Sequence, residues 1–230
     1  MSFFVPRRRS DPERMDGETR PEAIGGALRD LARINRFLGG VRLSVRSVAP
    51  FASAGPLSIL DVAAGGGDVG AALFKAAGAR SRVVAADRNP IMLAAARRVE
   101  PRLLCVAADA RALPFRDRAF DVVHTSLFLH HLEPDEAGAV LRELRRVARR
   151  AVVVNDLRRH RVALASIRVL TRLFFRSELV RHDGPLSVLR AYTPREVREI
   201  CAREGLPAPR IARGFGYRMS IVLPGSGEWS

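Results

Sequence analysis

The sequence predicts an α/β protein built on a mostly parallel sheet, and three observations carry that prediction. From residue 55 onward, short apolar runs alternate with helical stretches, as β-α-β crossovers require. The strand-like runs end in acids just ahead of helix starts, at Asp61, Asp87 and Asp109. Two further runs, 210–215 and 217–223, flank Gly214 and Gly216 closely enough to pair as an antiparallel hairpin. The expected architecture is a seven-stranded sheet, five parallel strands plus that C-terminal hairpin, preceded by helices.

Taken in order, residues 1–20 are rich in Arg, Asp, Glu and Pro without periodicity and read as an arm. Ile24, Leu28, Leu31, Ile34, Phe37 and Leu38 recur at helical spacing over 22–38, and Gly39-Gly40 stops that helix. A second short helix follows over 41–52. Gly55-Pro56 then divides an N-terminal arm with lid helices (1–54) from the main domain (55–230). Strands are expected at 57–63, 82–87, 102–108, 120–125 and 151–155, with crossover helices at 68–78, 90–99 and 135–149. The last of these buries Val140, Leu141, Leu144, Val147 and Ala148, and its arginines form a solvated face. A helical insertion is expected over 157–192. Thr193-Pro194-Arg195-Glu196 starts the final helix with a capping residue, a proline in the first turn and an acid three residues after the cap.

With 230 residues, 47% hydrophobic and 27% charged, the chain suits one domain with an appendage and excludes disorder. A net charge of +15 would ordinarily raise nucleic acid as a partner. Here Lys75 is the only lysine, the arginines are spread among alanines, and aromatics make up only 6%. Nucleic acid is therefore not read as a partner. Cys105 and Cys201 have no second ligand at metal spacing and read as buried thiols. No secretory signal is visible, and the apolar stretch 162–175 is short and broken by Arg168 and Arg172. The sequence thus predicts a cytoplasmic protein with no transmembrane segment.

The run Ile59-Leu60-Asp61-Val62-Ala63-Ala64-Gly65-Gly66-Gly67-Asp68 carries the chemistry. Glycines between a strand and a helix let the backbone approach a ligand beside free N–H groups. Gly65, Gly67 and Gly70 also fit a dinucleotide pattern, but Asp61 would repel a pyrophosphate and welcome an ammonium. Asp87 ends the second strand where a carboxylate can accept ribose hydroxyls, and Asp109-Ala110 ends the third where one can meet an adenine amine. An NAD oxidoreductase is set aside, since no separate substrate domain remains.

With those residues and with Phe120-Asp121-Val122-Val123-His124-Thr125-Ser126 followed by Leu129-His130-His131-Leu132, the chain resembles the class I S-adenosylmethionine-dependent methyltransferases over about residues 55–223. Within them it looks most like the small-molecule branch of quinone and polyketide methyltransferases. The resemblance implies a Rossmann-like fold and S-adenosylmethionine as methyl donor, with S-adenosylhomocysteine as product. It also implies that Asp61, Ala63, Gly65 and Gly67 hold the methionine end, Asp87 and Arg88 the ribose, Asp109 and Ala110 the adenine, and that Ser126 lies near the transferred methyl. Ala63 departs from the family's usual glycine.

Methyl displacement from a sulfonium needs alignment and exclusion of water, and an oxygen acceptor gains from a base. His130, His131 and His182 are the candidate catalytic residues, with His182 lying beside Asp183. His160 is a weaker candidate. Asn155, Arg158, Arg159 and Arg190 are candidates for substrate binding, against the plainer reading that such arginines brace a lid. The apolar insertion suits a greasy acceptor pocket, a homodimer contact or a membrane surface. A lid made with the N-terminal helices around Met15, Asn35 and Phe37 is the reading adopted. The expected activity is methylation of a small organic acceptor, foremost O-methylation of an aromatic or polyketide-like hydroxyl. Three alternatives stand beside it: C-methylation of a quinone-like ring, RNA modification, and noncatalytic cofactor binding.

Overall fold

The structure is a computed structural model. It describes residues 5–53, 55–175 and 177–227, so the ends of the expected arm and main domain (1–4, 228–230) and residues 54 and 176 lie outside the description. Among the described residues, seven strands form one sheet: β1 (Ser58–Val62), β2 (Arg82–Asp87), β3 (Leu104–Ala107), β4 (Phe120–Ser126), β5 (Ala148–Leu157), β6 (Arg210–Gly214) and β7 (Arg218–Pro224). Their order is β3-β2-β1-β4-β5-β7-β6. The first five are parallel, and the hairpin inserts β7 antiparallel against β5 with β6 outside it. This is the expected Rossmann-like sheet.

Alternation along the strands divides the core. Leu60, Val62, Val123, Val152, Val154 and Ile221 meet α5 (Pro134–Val147) and α8 (Pro194–Arg203) on one face. Ile59, Val83, Val122 and Val153 meet α2 (Gly40–Ala52) and α3 (Asp68–Ala77) on the other. The helix starts follow their local chemistry. Asn89 caps α4 (Pro90–Val99) by accepting the Ile91 N–H at 2.9 Å, and both α5 and α8 carry capping boxes around Glu133–Glu136 and Thr193–Glu196. Gly67 leads into α3 at φ 75°, where a Cβ would stand 2.6 Å from the Ala96 Cβ, so packing and backbone both demand glycine.

Two differences from the sequence reading have physical causes. β5 runs to Leu157, beyond the expected 151–155, because β7 pairs with it out to Leu157 opposite Arg218. The insertion folds as α6 (Arg161–Phe174) and α7 (Glu178–Arg190), and Gly184-Pro185 sits inside α7. The absent Cβ of Gly184 is used for close packing, since one there would lie 3.2 Å from Thr171 of α6. The N-terminal helix α1 (Pro21–Phe37) follows a short turn at Arg14–Gly17.

Candidate active site

The strand order reverses between β1 and β4, and in open α/β sheets the crevice beyond the strand ends at such a point receives ligands. A cavity of about 1130 Å³ lies there. Asp61, Ala63, Gly65, Asp87, Arg88, Asp109, Ala110 and Ser126 all line it, as do His130, His131 and Arg190.

At the β1 end, Asp61 is buried and its Oδ1 lies 2.7 Å from Nδ1 of His124, its register partner on β4. The other nitrogen of His124 meets the Ser44 hydroxyl at 2.9 Å, so α2 and β4 together orient the carboxylate. Asp61 Oδ2 and Ser126 Oγ are buried without a hydrogen-bond partner among the described residues. Arg218, at the start of β7, is also buried and lines the cavity. Its Nη2 donates to Asn35 Oδ1 at 2.6 Å, and Asn35 Nδ2 donates to Asp68 at 3.1 Å. Arg218 Nε and Nη1 have no partner among the described residues, and burial brings the guanidinium pKa down to about 10. Buried donors and acceptors left open at a cavity wall are what a polar ligand would satisfy.

Asp87 accepts the N–H groups of Gly65 and Asn89, each at 2.9 Å, which ties the glycine loop to β2. Burial raises its pKa above the usual carboxylate range. Asp109 is half-exposed, and its hydrogen bonds from Arg111 hold its carboxyl below that range. Ala63 and Leu127, beyond the ends of β1 and β4, both take left-handed backbone at φ 53°.

The acceptor end is built from the arm and the turn after β4. The backbone N–H of His130 donates to Asp156 Oδ2 at 3.0 Å, and its ring Nδ1 lies 2.6 Å from Asp156 Oδ1. Its Nε2 faces Glu13 at 3.5 Å. Burial opposes charge on this ring, but Asp156 and Glu13 outweigh it and push the pKa up to about 10. His131, with its ring 4.4 Å from that of His130, has Nδ1 3.1 Å from Asp16 and Nε2 3.8 Å from Glu13. Asp183 fixes the arm by accepting the N–H groups of Arg14 and Met15 at 3.0 and 2.9 Å. The buried Arg190 donates to the carbonyls of His130 (3.1 Å), His131 (2.6 Å), Ser10 (3.4 Å) and Asp11, binding arm and turn together.

Gly67, Asn155, Arg158, Arg159 and His182 lie away from the cavity lining. Gly67 serves the turn into α3. His182 stands 2.7 Å from Asp183 with its side chain 41% exposed, and the Asp183 carboxylate is directed to the arm. Asn155 donates to Gly40 O and Ser44 Oγ, both at 2.8 Å, on the α2 side of the sheet. Arg159 is buried as a brace, donating to Pro6 O, Ala191 O and Glu196, and Arg158 lies over the Tyr217 ring. Met15 and Asn35 line the cavity, whereas Phe37 is 76% exposed. Sequence reasoning missed Glu13, Asp16, Asp156 and Arg218. Period-two alternation places Asp156 on the Val152–Val154 face, opposite to Asn155, and could have found it. A charge among the apolar residues of β7 likewise marks Arg218. Glu13 and Asp16 carry no local signal.

Comparison with known proteins agrees with this geometry. Residues 59–151 match the model of a methyltransferase domain family. The chain is 33% identical over 203 residues to a demethylmenaquinone methyltransferase of Thermus thermophilus, covering 85% of this chain and 90% of that one. It is 41% identical over 98 residues to a ubiquinone/menaquinone biosynthesis C-methyltransferase of Burkholderia mallei, a match covering 40% of this chain and 38% of that protein. The crystal structure of a SAM-dependent methyltransferase from Aquifex aeolicus superposes with a TM-score of 0.61 at 18% identity, over 90% of this chain and 99% of that one, and shares the fold. Strand order, cleft and relatives together make this chain a member of the class I S-adenosylmethionine-dependent methyltransferases, in their small-molecule branch.

Proposed function

We propose that the protein methylates a ring carbon of a small quinol-like acceptor, with the described part of the arm and α1 acting as its lid, while α2 packs under the sheet as part of the main domain. One observation carries the choice of acceptor: the match to the Thermus demethylmenaquinone methyltransferase along nearly the whole of both chains. It favours the carbon-methylating alternative over the O-methylation expected first.

S-adenosylmethionine, when bound, supplies a methyl group on a positively charged sulfur. The residues present suit it. The open Asp61 carboxylate oxygen and the open Arg218 N–H groups complement an ammonium and a carboxylate. Asp87 with Arg88 is proposed for the ribose, Asp109 with Ala110 for the adenine, and Ala63, Gly65 and Ser126 for the methionine end. Gly67 shapes the loop without touching the ligand.

Leu31, Ile167, Leu170, Leu179 and Val188 give the cavity an apolar wall suited to an acceptor ring. The Glu13, His130 and His131 cluster is proposed to bind the ring hydroxyl beside the carbon that is methylated. Donation of that hydroxyl to the Glu13 carboxylate would draw it toward its phenolate form and raise electron density on the neighbouring carbon, and the ring proton released as a carbon–methyl bond replaces the sulfur–methyl bond would pass to the same carboxylate. Arg190 acts through the turn it holds, and His182, Asn155, Arg158 and Arg159 have no part in the proposal. The test is incubation with isotopically methyl-labelled cofactor and a short-chain demethylated naphthoquinol, with the product examined by NMR. Label on a ring carbon is expected. Label on oxygen, or transfer to RNA but not to the quinol, overturns the reading.

A further inference from the structure

We propose that Glu13, His130 and His131 form a site for one divalent transition-metal ion of the zinc class, opening onto the cavity. One ligand atom from each of these residues lies within 4.8 Å of the others. Two imidazoles and one carboxylate are a set that binds such ions while leaving coordination positions for substrate.

The arrangement around the three residues is more specific than their proximity. Each imidazole has its Nδ1 against a carboxylate, Asp156 at 2.6 Å for His130 and Asp16 at 3.1 Å for His131. That leaves both Nε2 atoms directed at the two oxygens of Glu13, at 3.5 and 3.8 Å. These separations exceed the usual N–H···O range of about 2.7–3.2 Å. With one ligand atom from each residue already within 4.8 Å of the others, side-chain adjustment draws them in to the roughly 3.3 Å between ligands on a tetrahedral ion with bonds of about 2.0 Å. A carboxylate on the far nitrogen is how metal-binding histidines are oriented and made more basic, and here both rings have one. The ligand backbones are also tied down without an ion. Asp183 holds the N–H groups next to Glu13, Ser187 donates to Glu13 Oε1 at 2.8 Å, and Arg190 grips both histidine carbonyls.

Resting on the acceptor reading above, the open positions of the ion would take the oxygen of the ring hydroxyl. The site itself is tested independently of methyl transfer. Tag-free protein, dialysed against EDTA and then titrated with Co2+, should take up one equivalent, read by visible d–d absorption without the near-ultraviolet band of a thiolate ligand. Zn2+ should abolish that spectrum. His131→Ala, at a half-buried position, should lose the uptake, Glu13→Gln should weaken it at least about tenfold, and Asp16→Asn should weaken it about tenfold. His182→Ala should leave it unchanged, with circular dichroism confirming fold in each case. Absence of saturable uptake, or uptake that His131→Ala and Glu13→Gln leave intact, overturns the site and makes the cluster an ion-pair clamp. Either result stands whether or not the quinol is methylated.

Discussion

Ala63 shows what a single backbone torsion does to this cleft. Its left-handed φ of 53° costs an L-residue on the order of 1 kcal/mol, and a glycine would relieve part of it. Ala63→Gly is expected to raise stability by up to about 1 kcal/mol, or a few degrees in Tm, in a calorimetric scan. Asp61→Asn should act on binding instead. Loss of a charge-assisted bond worth about 1.5–3 kcal/mol weakens cofactor affinity about 10- to 100-fold, measured by titration calorimetry. Unchanged affinity would remove Asp61 from the proposed contacts. Asp61, Asp87 and Asp109 were legible because each stands at or just past the end of a short apolar run. Glu13 was not, because its partners His130 and Ser187 are brought to it by packing over more than a hundred residues.

The elements were readable where one rule governed them. A capping residue and a proline marked α8, a buried apolar stripe marked α5, and short apolar runs marked β1, β2 and β4. The extent of β5 was not readable, since it is set by its partner β7. α7 has weak amphipathicity and two helix breakers, so it takes its shape from α6 beneath Gly184 and from the arm above Asp183. Two measurements address these joints. Thr193→Ala should cost about 1 kcal/mol by removing the α8 cap, seen in denaturant unfolding. Asp183→Ala frees the N–H groups of Arg14 and Met15, so limited proteolysis should cut within residues 5–20 much faster while the main domain resists. Equal resistance of the arm would show that Asp183 does not hold it.

In the whole molecule, sheet order and cavity followed from the alternation of elements, whereas the separation into a cofactor end and an acceptor end did not. That division arises because the arm, the turn after β4 and α7 converge on one side. A cofactor bound only by the folded chain must stabilise it. At a concentration about 100 times its Kd the gain is about 2.7 kcal/mol, or roughly 5–10 °C in Tm for a chain of this size. Absence of any shift in differential scanning fluorimetry would count against the cleft as a binding site. Among the described residues no helix is long and apolar enough to cross a membrane. The arm that closes the cavity is fastened by Asp183 and Arg190, partners about 170 to 180 positions further along. During synthesis residues 10–15 must therefore wait for α7, some 170 positions later, before the pocket has a wall, and a ribosome-bound fragment ending short of α7 cannot assemble the enclosed cavity.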